Sequence, residues 1–148
     1  MVHQQHSTMD TRTIDGALHP ELIPDTTAYR LYLFAVSTPP NPAATDRKRQ
    51  HAHLIKSGIE DNDCQILVGI LSDFRSRYDE LVAQYNATAT AALARGETTD
   101  IRTLLKAFDD LVQSTRDTIN ARLTPIGAAQ LHSFIISEKK NMKVQPED

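Results

Sequence analysis

The sequence predicts an all-α protein, a helical bundle of about five helices around one long antiparallel helical hairpin. Three observations predict this class. Apolar residues recur at the three- and four-residue spacing of helix faces through most of the chain. Most of the 5 glycines and 7 prolines fall between these helix-like segments. Residues 61–95 contain no proline and only one glycine, Gly69, so a single helix can extend through them.

The chain length predicts one domain, since 148 residues are enough to bury a single core without disulfides. Residues 1–17 are polar and aperiodic, and we expect them to form a flexible N-terminal arm. The helical domain is predicted over residues 18–142. Residues 143–148 are polar and are expected to be a frayed tail.

The first helix is expected to follow a proline-bracketed segment, residues 20–24, that we predict to lie extended against the body. Asp25 belongs to the residue types that cap a helix N-terminus. Pro39 and Pro40 cannot continue a helix, so this one should end near Ser37. Its buried stripe is predicted to consist of Ala28, Leu31, Tyr32 and Ala35.

The second helix is predicted over about 44–57 and ends at Gly58, a usual residue just beyond a helix C-terminus. The third helix, about 61–95, is the longest. Its apolar residues alternate spacings of four and three, which is the heptad seam of a helix that packs along another helix. The seam consists of Leu67, Leu71, Phe74, Tyr78, Leu81 and Tyr85.

The fourth helix is predicted over about 100–122, after Gly96 and a cap from the segment Thr98-Thr99-Asp100. It repeats the heptad spacing, and the short connection requires the third and fourth helices to run antiparallel. The fifth helix is expected over about 125–141. Thr124 supplies its cap, and Pro125 occupies the first helical position, where proline is favoured.

Composition and charge argue against several function classes. The net charge is −3, the isoelectric point is near 6.0, and aromatic residues are 5% without tryptophan, so neither a basic face nor stacking platforms for nucleic acid are expected. The run Arg47-Lys48-Arg49 is interpreted as a solvated helix face. No apolar run reaches the length of a membrane span. The N-terminus lacks the basic and apolar regions of a signal peptide, so a cytoplasmic location stays open.

No motif predicts catalysis, a metal or a cofactor, and we expect a protein that is not an enzyme. Cys64 is interpreted as a structural cysteine, although a helix N-terminus can lower a thiol pKa. His51 and His53 are two residues apart on a helix and point in different directions, and His132 stands alone. His3 could chelate copper or nickel with a free N-terminus, which is the weaker interpretation.

The partner surface is predicted from apolar residues that the chain does not obviously cover. The third helix outruns the fourth by about eleven residues, roughly 16 Å. Ile66, Leu67 and Ile70 then need a cover from the first and fifth helices or from a second copy. Leu33 and Ile136 fall off the main stripes of their helices and are expected to face outward. These five residues are the candidate surface for a protein partner or a homodimer.

The alternative function is the binding of a small ligand. It would use a pocket between the third, fourth and fifth helices. The residues that would line this pocket are Phe74, Tyr78, Phe108 and Phe134. Because large aromatic side chains at helical spacing also form ordinary cores, both interpretations of these residues are open.

Two stretches resemble the LTXXQ-motif family, the Spy-type periplasmic helical chaperones and stress sensors. They are Leu123-Thr124-Pro125 followed by Ala128 to Leu131, and Ile59-Glu60-Asp61 leading to Gln65-Ile66-Leu67. Gly127 stands where the family has the glutamine of its motif. The resemblance implies a helical fold, an envelope location, and a cradle-like surface for unfolded or assembling proteins.

The chain also looks like a group of uncharacterised secreted bacterial helical proteins. The similarity lies in the segments from Pro20 to Asp25, from Ala121 to Pro125, and from Glu138 to Lys143. This second resemblance likewise implies a periplasmic or secreted protein without enzymatic activity.

Overall fold

A computed structural model describes residues 13–145 of the chain and confirms the predicted all-α class. Five α-helices follow one another, each close to its predicted position. Two short strands, β1 (Ile14–Asp15) and β2 (Lys143–Val144), pair at the ends of the described chain. The helices are α1 (Asp25–Val36), α2 (Ala44–Ser57), α3 (Asp61–Ala94), α4 (Ile101–Arg122) and α5 (Pro125–Ser137).

Helices α3 and α4 form the predicted antiparallel hairpin, and α3 continues without a break through Gly69. The ring of Tyr78 stacks on Phe108 with 4.5 Å between centroids, which fixes the register of the pair. From Tyr78 to the end of α3 at Ala94 there are sixteen residues, whereas only seven separate Phe108 from the start of α4 at Ile101. The surplus of nine residues makes α3 project about 13 Å beyond the first turn of α4.

At the opposite end of the hairpin, α3 begins close to where α4 ends, because the first turn of α3 contacts the first turn of α5. Asp63 is 1% exposed, and its carboxylate accepts hydrogen bonds from the backbone N–H of Thr124 at 3.0 Å and from the Thr124 hydroxyl at 2.6 Å. The same hydroxyl oxygen caps α5 by accepting from the N–H of Gly127 at 3.0 Å. A buried carboxylate needs such partners, and here it joins two helix starts.

Gly127 is required by this junction. A Cβ atom at this position would overlap the Asp63 carboxylate and crowd the Thr124 hydroxyl. The packing at this junction therefore leaves no room for a side chain at position 127.

The α1 helix buries a different stripe from the predicted one. Leu31 is partly exposed and Ala35 is exposed, whereas Leu33 is completely buried. Adjacent stripes of α1 are both apolar, so the 3.6-residue period alone did not distinguish them. The expectation that Leu33 faces outward is therefore wrong. The buried face of α1 consists of Thr27, Ala28, Tyr29, Tyr32, Leu33 and Val36.

Two local predictions before α1 are also wrong. Residues 20–22 form a 3₁₀ turn that buries the following Ile23, where an extended segment was expected. Pro24 precedes α1 as its N-cap, and no side chain caps the helix. Asp25 is instead the first helical residue, and its carboxylate pairs with Lys139.

The ends of the described chain are paired, whereas the sequence assigns them to an arm and a tail. Strands β1 and β2 are antiparallel, with Ile14 opposite Val144. The N–H of Gly16 donates to the carbonyl of Met142 at 2.8 Å, in a contact too close for any Cβ at that glycine. Residues 1–12 and 146–148 of the predicted arm and tail lie outside the described residues.

Replacing Gly127 with alanine is expected to destabilise the fold by about 1–3 kcal/mol, because the new methyl displaces a buried, hydrogen-bonded carboxylate. Gly69→Ala is the matched control, since its Cβ would enter open space within a helix. That variant should gain roughly 0.5–1 kcal/mol from helix propensity. Urea unfolding followed by circular dichroism measures both changes, and equal effects of the two substitutions would contradict the junction described above.

Candidate functional site

The five residues of the predicted partner surface do not form one exposed patch. Leu33, Leu67 and Ile70 are buried in the core, and Ile66 is half-buried against it. Of the two covers expected for this end of α3, the structure shows the one within the chain, since these residues share a core with α1 and α5. Ile136 is half-buried beside Pro20 in a separate open groove.

Three of the four aromatic residues of the predicted ligand pocket pack against one another. Phe74 and Phe108 lie on either side of Tyr78, at centroid distances of 5.9 Å and 4.5 Å. Phe34, which the prediction did not include, completes this group at 4.8 Å from Tyr78. Phe134 lies elsewhere and meets Tyr32 edge to face. Phe74 and Phe108 are buried, whereas Tyr78 is half-buried and Phe34 is 40% exposed, so the group extends from the core to the surface.

A small open cleft lies between α3 and α4, next to Phe74. Its volume is about 110 Å³, and Ile70, Leu111 and Thr115 line it with other residues of both helices. Pockets for drug-sized ligands usually measure ~300 Å³ or more. A second open cleft, of about 450 Å³, lies further along the same two helices, around Leu81 and Leu111. Phe74 lines the smaller of the two, and binding of a ligand between these helices stays a prediction.

The apolar seam of α3 changes its environment along the helix. Leu67, Leu71 and Phe74 have at most 1% of their surface exposed, whereas Leu81 and Tyr85 are only half-buried. The aromatic contacts of α1 with the hairpin reach Tyr78 through Phe34. Residues 81–94 of α3 and 101–105 of α4 lie beyond that point along the hairpin, and we call them the distal hairpin. On the α4 side, Arg102 and Leu105 line an open cleft together with Leu31 of α1. The largest exposed apolar side chains of the distal hairpin are Leu93, Ile101 and Leu105, at 74%, 49% and 43% exposure.

A polar cluster that the sequence did not predict joins α1, α4 and α5. The hydroxyl of Tyr29 and Nδ1 of His132 share a hydrogen bond of 2.6 Å. The guanidinium of Arg116 lies over the Tyr29 ring, 4.3 Å from its centroid. Burial raises the pKa of the Tyr29 phenol, so this ring stays protonated and neutral at physiological pH. His132 is thus the partner of a buried phenol, although in the sequence it stands alone.

An ion pair between Asp25 and Lys139 also joins α1 to the C-terminal part of the domain. Lys139 is buried, and its Nζ donates to Asp25 Oδ1 at 2.6 Å. This hydrogen bond is the main cause that lowers the pKa of Asp25, with smaller contributions from the charges of Lys139, His132 and Arg116. The pair ties the turn that follows α5 to the start of α1.

Cys64 lies in the first turn of α3, half-buried, and its Sγ is 3.6 Å from the carbonyl oxygen of Ile59. Burial and the nearby carboxylates of Asp61 and Asp63 raise the pKa of the thiol. The helix N-terminus was a reason to consider a lowered pKa, and the opposite shift agrees with the structural interpretation of this cysteine.

The remaining histidines of the described chain are not part of a metal-binding group. His51 is exposed and His53 is half-buried, both on α2, and His3 lies outside the described residues. Within residues 13–145, no three His, Cys, Asp or Glu side chains are grouped as a metal site requires. None of the helices in this part of the chain has both the length and the apolar character needed to cross a membrane.

Comparisons of this chain with models of protein families, with curated proteins and with solved structures found no match.

The Asp25–Lys139 pair makes stability depend on pH in acid. The pKa of Asp25 in the folded protein lies below its unfolded value of about 3.9, so the pair stabilises the fold above that pH. This contribution is lost as the pH falls through the lower folded value. We expect Lys139→Met to remove about 1 kcal/mol or less of stability at pH 6, because Asp25 is half-exposed.

The variant should also lose less stability than the original protein between pH 4 and pH 2, by roughly the amount lost at pH 6. Lys140→Met is the control, since Lys140 is exposed and next to Lys139. Urea unfolding at each pH measures the difference. An acid dependence that is unchanged in Lys139→Met would contradict the role assigned to the pair.

The raised pKa of Cys64 predicts a slowly reacting thiol. At pH 8 the folded chain should be alkylated by iodoacetamide roughly tenfold or more slowly than the same chain in urea, because both the thiolate fraction and access are reduced. Mass spectrometry of quenched samples gives both rates. Equal rates in the folded and unfolded chain would show that the fold does not protect this cysteine.

Proposed function

We propose that this protein is a non-enzymatic helical interaction protein, chaperone-like or scaffold-like, that binds a protein partner or a second copy of itself. The contact surface in this proposal is the apolar face of the distal hairpin. The observation that carries it is that residues 81–94 of α3 are uncharged and, apart from the buried Ala92, exposed or half-buried.

The charge pattern of α3 changes at the same place as its packing. Residues 61–80 carry seven acidic or basic side chains, whereas residues 81–94 carry none. A helix with a solvated outer face normally has charged residues there. The cores of protein interfaces are instead depleted in charge and enriched in apolar and aromatic groups. An uncharged, half-exposed helix end with Leu81, Tyr85 and Leu93 fits the second description.

Small side chains support helix-on-helix binding at this surface. Alanine and threonine occupy most positions from Ala87 to Ala94, so the backbone of a partner helix can approach closely. The heptad spacing of the seam continues through Tyr85, which suits the insertion of side chains from an antiparallel or parallel partner. A second copy offers the same seam and would complete a four-helix bundle with its own distal hairpin.

The resemblance to the LTXXQ-motif family is consistent with this proposal. It adds a cradle-like surface for unfolded or assembling proteins and makes the periplasm the compartment we propose. The distal hairpin differs from the surface first predicted, of which Ile66 and Ile136 are the half-exposed members. Binding at those two residues stays a prediction.

The experiment compares two charge insertions at equally exposed apolar positions. Leu93→Asp places a carboxylate on the distal hairpin, whereas Ile126→Asp places one at the start of α5, near the opposite end of α3. Aspartate is favoured in the first turn of a helix, so the control variant should fold. Both variants should keep the circular dichroism spectrum of the original protein.

We expect Leu93→Asp to weaken self-association or client binding at least about fivefold, which corresponds to roughly 1 kcal/mol at an interface residue. Ile126→Asp should leave both unchanged. Sedimentation velocity measures self-association, and light scattering of an aggregating unfolded client without ATP measures chaperone-like activity. A chain that remains monomeric at ~100 µM and suppresses no aggregation contradicts the proposal, since standard interfaces bind well below that concentration.

A further inference from the structure

An open cleft of about 320 Å³ lies between the loop that follows α1, the α2 helix and the first half of α3. No residue of the distal hairpin and none of the aromatic residues around Tyr78 is among those that line it. The prolines of the loop and Val68 on α3 give the cleft an apolar lining. Hydrogen-bond donors come from all three elements, with Thr38 in the loop, Arg47 on α2, and Ser72 and Arg75 on α3. This volume is at the lower end of the range for small-molecule sites.

Arg75 is held in place at the cleft by three contacts. Its guanidinium lies over the ring of Phe34, 4.4 Å from the centroid. Its Nε donates to Asp79 at 3.3 Å, and Nη1 donates to the hydroxyl of Ser37 at 3.5 Å. The side chain is 18% exposed. A guanidinium has five N–H donors, so three of them have no partner within residues 13–145.

Four further side chains of the cleft carry donors for an incoming ligand: Arg47, Ser72 and Ser76 are exposed, and Thr38 is half-buried. Within the part of the chain that the structure describes, the hydroxyls of Thr38, Ser72 and Ser76 and the guanidinium of Arg47 form no hydrogen bond or ion pair. No aspartate or glutamate is among the residues that line the cleft, and it holds two arginines, of which Arg75 is paired with Asp79. Guanidinium and hydroxyl donors of this kind can bind the oxygens of an anion.

The cleft is built by the fold around it. Gln50 donates from its side-chain amide to the carbonyl of Val36 at 3.1 Å, which joins α2 to the end of α1. Asn41 adopts a φ of 55° between two prolines, a left-handed conformation that few residues other than glycine adopt. These contacts hold the loop opposite Ser72 and Ser76, which are one turn apart on the same face of α3.

We propose that this cleft binds a small phosphorylated molecule. The phosphate would accept hydrogen bonds from Arg75, Arg47 and the three hydroxyls, and an apolar body would lie against Val68 and the loop prolines. The two arginines favour an oxyanion over a neutral ligand, and a tetrahedral phosphate can accept hydrogen bonds from several donors at once. This inference is independent of the partner surface at the distal hairpin.

Phosphate recognition assigns different roles to the members of the basic run on α2. Arg47 lines the cleft, whereas Lys48 and Arg49 do not. Lys48 is exposed on the same helix and carries the same charge. It therefore provides a control for the general electrostatic attraction of anions to α2.

The test is an NMR titration of the full-length chain with inorganic phosphate, phenyl phosphate and benzoate at constant ionic strength. Constant ionic strength keeps screening the same in all three arms. The amides of Ser72, Arg75 and Ser76 and the side-chain Nε–H of Arg75 should shift together and saturate. Phenyl phosphate should bind about fivefold or more tightly than inorganic phosphate, because its ring would pack against Val68 and the loop prolines.

Arg47→Ala and Ser76→Ala should each weaken phenyl phosphate binding, the former about tenfold or more, whereas Lys48→Ala should change it less than about twofold. Three outcomes would overturn the proposal. They are the absence of saturable shifts up to ~20 mM phenyl phosphate, equal weakening by Arg47→Ala and Lys48→Ala, and tighter binding of benzoate than of phenyl phosphate.

Discussion

The buried carboxylate of Asp63 determines how the long hairpin is positioned. Its two hydrogen bonds to Thr124 bring the first turn of α3 level with the first turn of α5, and hence with the end of α4. A buried charge without partners would cost several kcal/mol, so this alignment is strongly preferred over one shifted by a helical turn. The 34-residue α3 is longer than the 22-residue α4, and with one end fixed the surplus must project at the other.

This constraint explains why the uncovered apolar surface lies near Ala94. Leu67 and Ile70 lie at the aligned end and enter the core with α1 and α5. Leu81 and Tyr85 belong to the same heptad seam but have fewer neighbouring helices. The absence of charge from residues 81–94 shows that the sequence of this part of α3 differs from that of a solvated helix. Packing and composition therefore indicate the same surface for the proposed partner.

Contacts between distant parts of the chain close the bundle around α1. Lys139 binds Asp25, and His132 binds Tyr29, so the end of the domain is fixed to the first helix from two sides. On the opposite side, Phe34 supports Arg75 and holds its guanidinium at the cleft. The same helix thus contributes to core packing, to the acid-sensitive ion pair and to the proposed phosphate site. A change in the orientation of α1 would therefore disturb all three.

The sequence by itself determined the five helices, the cap at Thr124, the cap at Asp100 and the antiparallel hairpin, because these depend on residues within about one helical turn or on a short connection. Tertiary structure decided which stripe of α1 is buried, which end of α3 projects, and the partners of Asp63, Asp25 and His132. Those partners lie 61, 114 and 103 residues away along the chain. Periodicity shows that a helix has an apolar face, but only the packed neighbours determine whether that face is covered.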